Sequence, residues 1–237
     1  GARWYQTTTA DCIMELAMES QVDPVKRWLS TITAEPLCDS DWNNLDQFLI
    51  GTKDDIARVF FKRYLVSAVK RIWEPGCKVR QTPVLQGPQD LGKTELGKAI
   101  FSEQWFGSDG LSKKLDHDDV ARMMRFWCFE LGELDGYRKY DAERLKNFLT
   151  NSTDTARFVY NRAHKVIPRR TIFWGTSNGM PLNDPTGSTR FVVIPVESEL
   201  PWRDVGIARE SLLARAIQEY LSGAPSFSTA DEMDAIR

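Results

Sequence analysis

Gly87-Pro88-Gln89-Asp90-Leu91-Gly92-Lys93-Thr94 is an eight-residue run with glycine at its first and sixth places and Lys-Thr at its close. That spacing is the pattern of a phosphate-binding loop. Glycines permit a tight turn whose amides point inward at a phosphate. Lys93 adds a point charge against the outer phosphates, and Thr94 offers a hydroxyl to a magnesium ion. Upstream, Thr82 to Leu85 is a short apolar run suited to a buried strand; downstream, Thr94 to Phe101 reads as a helix. Strand, loop, helix is the order the motif requires, and an accidental match in a surface loop is the competing reading. The expected nucleotide contacts are Gly87, Pro88, Gln89, Asp90, Leu91, Gly92, Lys93, Thr94 and Glu95, with ATP and Mg2+ as the cofactors.

Before this loop the chain reads as helical. Cys12, Ile13, Leu16 and Ala17 recur at near-helical intervals between Thr9 and Ser20. Asp23-Pro24 restarts the chain with an aspartate cap and a proline in the first turn, followed by Val25, Trp28, Leu29 and Ile32 on one face. Cys38 to Leu49 reads as loop and short helix anchored by Trp42, Leu45 and Phe48. Thr52 and Asp55 have capping-box spacing ahead of a long helix that carries Ile56, Phe60, Tyr64, Val66, Val69, Ile72 and Trp73 until Pro75-Gly76 ends it. After the loop, 106–119 is rich in glycine and charge and reads as exposed loops. Arg125 to Leu131 is a second strand, too continuously apolar for an edge. Asp141 caps a helix to about Leu149, Thr171 to Gly175 and Phe191 to Val196 are further strands, and Ile207 to Leu221 is a last helix stopped by Gly223. The expected fold is α/β, with three divisions: a helical subdomain at 1–78, a P-loop ATPase core at 79–223, and a loosely held tail at 224–237.

Composition narrows the class. The 237 residues are 42% hydrophobic and 27% charged, which suits a packed core, and the formal net charge is −2. A uniformly basic nucleic-acid binder is therefore not expected, although a few cations per subunit can line a channel in a ring. There is no long uncharged apolar run and no signal peptide, which points away from membrane and secretion. Cys12, Cys38, Cys77 and Cys128 lie far apart and the histidines are only His117 and His164, so structural zinc is not expected. His117 sits between acids, and Lys113-Lys114 reads as surface. Gly1-Ala2 reads as a scar from a trimmed tag, as in a piece cut from a longer protein.

A phosphate loop needs a carboxylate on a neighbouring strand to hold its metal. Glu130 at the end of the second strand occupies that place, with Glu133 three positions on and Asp135 five. One acid can serve the metal while another polarises the attacking water, which divides the work between Glu130 and Glu133. The bland alternative is ordinary acids at a strand end; Asp135-Gly136 also reads as a turn. Asn178, after Gly175-Thr176-Ser177, has donor and acceptor to orient water near a terminal phosphate, or is a turn asparagine before Gly179. Arg190 follows the loop headed by Asp184-Pro185-Thr186-Gly187 and could reach the phosphate of the next subunit in a ring, or make a surface ion pair. Between these lie Arg157, Arg162, His164, Lys165, Arg169 and Arg170 with Phe158 and Tyr160 interleaved, a pattern for contact with nucleic-acid phosphates or for a solvated face.

Taken together, these segments resemble the virulence-associated protein E family, ATPase domains related to superfamily 3 helicases of phage, plasmid and genomic-island replication proteins. The resemblance runs from Asp23-Pro24-Val25 and Trp28-Leu29 through Trp73-Glu74-Pro75-Gly76-Cys77-Lys78 and Leu85-Gln86-Gly87-Pro88-Gln89. It continues in Phe129-Glu130-Leu131-Gly132-Glu133-Leu134, Lys146, Asp154, Arg157, Tyr160, Pro168-Arg169-Arg170 and Gly175-Thr176-Ser177-Asn178. It ends in Asp184-Pro185-Thr186-Gly187-Ser188-Thr189-Arg190-Phe191. It implies an AAA+-like core with a central parallel sheet and ATP hydrolysis between subunits of a hexameric ring. Lys93 and Thr94 would be the Walker A contacts, Glu130 and Glu133 the Walker B acids, Asn178 sensor 1 and Arg190 the trans finger. Lys165, with Arg162 and His164, would lie on a hairpin facing DNA in the pore. Asp90 departs from the family, which has glycine there; an acid in a phosphate-binding turn is unfavourable unless it points outward, as expected here. No primase-polymerase module lies in these residues, so it either precedes Gly1 in a parent chain or is a separate polypeptide. The implied activity is an ATP-dependent helicase or translocase on single-stranded or forked DNA in a bacterial cytoplasm. The alternatives are an initiator or loader without processive unwinding, and an ATP-regulated assembly module that does not hydrolyse.

Overall fold

The structure is a computed structural model that describes residues 23–108, 110, 115–134, 139–156, 165–179 and 190–229. The chain divides into two units, Gly1–Ile32 and Thr33–Arg237. In the first, α1 (Pro24–Ser30) begins as its sequence predicts: the Asp23 carboxylate accepts from the amides of Val25 and Lys26, with proline in the first turn. The helix expected at Thr9 to Ser20 lies outside the described residues, as do Gly1-Ala2 and Cys12.

The second unit is built on a sheet of five strands, all parallel: β1 (Thr82–Gln86), β2 (Phe106–Gly107), β3 (Cys128–Leu131), β6 (Ile172–Ser177) and β7 (Phe191–Pro195). Their order across the sheet is β2-β3-β6-β1-β7. This is the α/β class with a central parallel sheet that the sequence predicts. Because β6 lies between β1 and β3, the carboxyl ends of all three emerge side by side at one edge. Each of β3 and β6 is buried along its whole length, as a parallel strand covered on both faces must be.

Alternation along β6 shows what covers the two faces. Phe173 joins a cluster with Phe129 and Leu131 of β3, Leu134 just beyond it, Met123 of α6 (His117–Met123), and Leu145 and Leu149 of α7 (Lys139–Thr150). Trp174 points the other way, among Phe61 and Tyr64 of α4 (Asp55–Trp73) and Phe101 of α5 (Lys93–Phe101). Two polar tips tie α4 to the strands: the Tyr64 hydroxyl donates to the Phe173 carbonyl at 2.5 Å, and the Trp127 indole donates to the Ala68 carbonyl at 3.0 Å. Short helices α2 (Asp39–Asn43) and α3 (Leu45–Ile50) precede α4. The α4 cap is Asp54, whose carboxylate accepts from the Ala57 amide, rather than the expected Thr52 box. None of the helices among the described residues is long and apolar enough to cross a membrane.

Other expectations need correction. The 106–119 stretch is not all loop: Phe106–Gly107 pairs with Cys128–Phe129 as an edge strand, and Asp116 and Asp119 close a reciprocal capping box that starts α6. The second strand starts at Cys128 rather than Arg125, because the amides of Arg125 and Phe126 close the turn after α6 onto Arg122 and Met123. Asp141 lies inside α7 rather than capping it. The last helix, α9 (Arg209–Leu221), starts two residues later than expected, and a separate short helix α8 (Trp202–Ile207) precedes it, ending on Ile207, which is 86% exposed. Of the tail, the part up to 229 is held: the Ser228 amide donates to Gln81 Oε1 at 3.1 Å, and Arg80 lies over the Phe227 ring.

Candidate nucleotide site

The loop after β1 is shaped by two close approaches. A Cβ on Gly87 would meet the Val196 carbonyl oxygen at 2.0 Å, so no side chain fits beside the strand β7 exit. Gly92 has φ +82°, and a Cβ there would meet Trp202 Cδ1 at 2.6 Å. Asp90 also sits in the left-handed region at φ +64° and is exposed. A glycine at this position would take such a φ without strain.

Lys93 opens α5 and is buried. Its ammonium donates to the Gly87 carbonyl at 2.7 Å and to the Pro88 carbonyl, with Asn178 Oδ1 at 3.4 Å. Burial lowers the Lys93 pKa and the Asp90 carboxylate partly restores it. One residue on, the Thr94 hydroxyl donates to Glu130 Oε1 at 2.6 Å, and the Thr176 hydroxyl of β6 donates to the same oxygen at 2.9 Å. Glu130 is buried at the end of β3, and that burial raises its pKa. The two threonine hydroxyls and Lys98 oppose the rise by favouring the carboxylate. Glu95, in the first turn of α5, pairs with Lys98 at 2.9 Å.

This arrangement fits magnesium. That ion takes hard oxygen donors and is held by one or two carboxylates, with phosphate and water completing its shell. Thr94 Oγ1 and Glu130 Oε1 are such a pair, on adjacent elements and already within hydrogen-bond distance. Among the described residues no cluster of three His, Cys, Asp or Glu forms a metal cage, and Cys38, Cys77 and Cys128 are free thiols.

Lys93, Thr94, Glu130 and Asn178 are thus brought together at the carboxyl edge of the sheet. Glu133 lies just past the end of β3, exposed and in a left-handed conformation at φ +53°. Non-glycine residues held there are strained, and such strain concentrates at functional sites. Arg190 is elsewhere. Its carbonyl accepts from the amide of Thr82, the first residue of β1, so it stands at the amino edge of the sheet. At about 3.3 Å per residue, β1 alone puts about 13 Å between that edge and the loop.

The basic stretch meets the structure in a two-stranded antiparallel hairpin, β4 (Thr153–Ala156) and β5 (Lys165–Pro168). Lys165 pairs with Ala156 at its far end. Arg157, Phe158, Tyr160, Arg162 and His164 lie outside the described residues, as do Lys113-Lys114, Asp135-Gly136 and the loop headed by Asp184. Thr176 was not singled out by sequence reasoning. The signal was present, since Thr176 and Asn178 are two apart at a strand end, but a threonine in a strand ordinarily reads as β propensity.

Comparison with known proteins bears on the family and the fold. The family model described as the virulence-associated protein E-like domain matches residues 39–237. A search of curated proteins gives no match. Among solved structures, the apo structure of the NrS-1 C-terminal region (305–718) is similar with a TM-score of 0.61 at 17% identity, over 91% of this chain and 54% of that one. An A-form apo structure of the same region gives 0.57 at 17% identity, over 90% and 53%. This chain therefore spans about half the length of those structures, and at such identity the likeness is one of fold. By its family match, the chain belongs to the virulence-associated protein E-like domain family.

Proposed function

We propose that this domain is an ATP-driven motor that assembles into a hexameric ring and acts as a helicase or translocase on single-stranded or forked DNA during replication of a phage, plasmid or genomic island. The observation that carries the reading is the 2.6 Å contact between the Thr94 hydroxyl of the loop helix and Glu130 on another strand. A loop that merely bound an anion would not need a buried acid aimed at its threonine. In this reading residues 79–223 are the motor core, 1–78 its helical subdomain, and a primase-polymerase module in the same or another polypeptide is the working partner. The cytoplasm of a bacterial host is the setting.

The chemistry follows from the side chains. Glu133 accepts the proton of a water whose oxygen attacks the γ-phosphorus in line, and the bond from that phosphorus to the bridging oxygen breaks to give ADP and phosphate. Asn178 orients that water, while Lys93 turns its ammonium from the Gly87 and Pro88 carbonyls to the β- and γ-phosphates. Magnesium, when held by Thr94 and Glu130, supplies charge neutralisation to the phosphate oxygens. Arg190 of a neighbouring copy stabilises charge on the transferred group. Arg162, His164 and Lys165 contact the DNA backbone, which makes binding salt-sensitive.

ATP turnover by the purified chain, with and without single-stranded DNA, tests this. DNA should stimulate turnover. Glu133→Gln should lower kcat by about 10²- to 10⁴-fold with ATP binding kept, and Lys93→Ala should abolish turnover. An assembled ring that binds ATP but does not hydrolyse it would refute the mechanism.

A further inference from the structure

The segment after β7 is stitched to the phosphate loop along its length. The Val196 amide donates to the Gln86 carbonyl at 2.7 Å, and the Leu200 amide donates to the Leu91 carbonyl at 3.0 Å. The Val196 carbonyl fills the space beside Gly87, and Trp202 fills the space beside Gly92. These attachments end on Trp202, at the start of α8, and fix its indole edge against the residue before Lys93. Yet Trp202 is only half-buried. The Arg203 guanidinium lies 4.2 Å over the ring and is itself anchored on Glu199 at 3.1 Å. Among the described residues the indole N–H meets no acceptor.

A large aromatic ring at the rim of a phosphate loop, held by backbone bonds rather than by burial, has a surface to offer. We infer that Trp202 is the wall against which the base of the bound nucleotide lies. The inference rests on the nucleotide reading of the loop and deepens it, because the phosphate loop alone is blind to what the phosphates are attached to. A nucleoside leaving the loop past Gly92 meets an indole face, and stacking on an aromatic ring is favourable for any base. Arg203 backs the ring and holds its plane. The N–H remains a donor for the same ligand. Trp202 is thus a residue that favours a nucleoside triphosphate over the bare triphosphate chain.

The test compares two probes, ATP and inorganic tripolyphosphate, each titrated with magnesium into the whole chain by calorimetry. Trp202→Ala should weaken ATP by about tenfold or more and leave tripolyphosphate unchanged, and Trp202→Phe should restore most of the ATP affinity. Equal weakening of both probes would overturn the inference and make Trp202 a prop for Gly92; unchanged ATP binding would also overturn it. Lys93→Ala separates the underlying reading, since it should weaken both probes together. If it weakens neither, the loop is not the nucleotide site and both ideas fail.

Discussion

Glu130 is an acid kept in a place that favours its neutral form, and the metal-holding role proposed for it requires the charged one. Burial raises its pKa, so it loses its charge at a higher pH than an exposed glutamate would. The hydroxyls of Thr94 and Thr176 hold the carboxylate against that tendency. Thr176→Val keeps the shape of the side chain and removes one of the two bonds. The acid limb of the kcat profile should therefore move to higher pH, with turnover on the alkaline plateau little changed. The stability sign follows from linkage. The unfolded acid titrates near 4.5 and the folded one above it, so the folded state holds more protons in that window and loses stability as pH rises through it. Thr176→Val should steepen that loss, read from urea unfolding across the same pH range; an acid limb that stays in place would show that Thr176 does not hold Glu130. At this scale the sequence was partly legible. Lys93 and Thr94 are named by their spacing, and Glu130 by its place at a strand end. Thr176 and Trp202 are not, because the roles proposed for them arise from register and from a chain return that brings residues more than a hundred positions away onto the loop.

A buried side chain ties the hairpin β4–β5 to the core. Arg169 follows β5 and makes a two-pronged pair with Asp154 of β4, its Nε 2.9 Å from both carboxylate oxygens. Its Nη1 donates to the Phe148 carbonyl at 2.6 Å, and its guanidinium lies over the rings of Phe148 and Phe173. The hairpin base, the end of α7 and the strand that leads to Thr176 and Asn178 thus share one cation. Breaking such a pair leaves an uncompensated buried charge, so Asp154→Ala should destabilise the domain by about 3–5 kcal/mol, measured by urea denaturation. A loss below about 1 kcal/mol would mean that water reaches Arg169 and the clamp is a surface pair. Elements with strong local signals were legible in the sequence. The apolar run of β1 and the long face of α4 lie where their residues put them. Two-residue β2 has no period to read, and it exists because Gly107 lets Phe126 and Phe129 close on it, 2.6 and 2.7 Å from where a Cβ would stand. The break between α8 and α9 is equally silent, since Gly206 lies inside α8 and neither glycine nor proline stands at Ala208 itself.

At the scale of the molecule, the sheet separates two groups that one reaction is proposed to use. Lys93, Thr94, Glu130 and Asn178 stand at its carboxyl edge, and Arg190 at its amino edge beside Thr82. An arginine side chain reaches about half of the roughly 13 Å that β1 spans, so Arg190 does not serve the loop of its own chain. If it acts on phosphate, it acts on a neighbour's, and a head-to-tail interface that presents the amino edge of one copy to the loop of the next closes into a ring when its rotation permits. Mixing two inactive variants tests this. Lys93→Ala has no working loop but keeps Arg190; Arg190→Ala keeps its loop but gives nothing to the next copy. Each alone should be silent. Mixed in equal amounts and allowed to exchange, about one interface in four joins an intact loop to an intact arginine, so turnover should recover to about a quarter of the unaltered rate. No recovery in mixed rings of confirmed assembly would remove Arg190 from the reaction and leave it a role in holding the amino edge of the sheet. Recovery without any detectable assembly would contradict the shared site just as firmly.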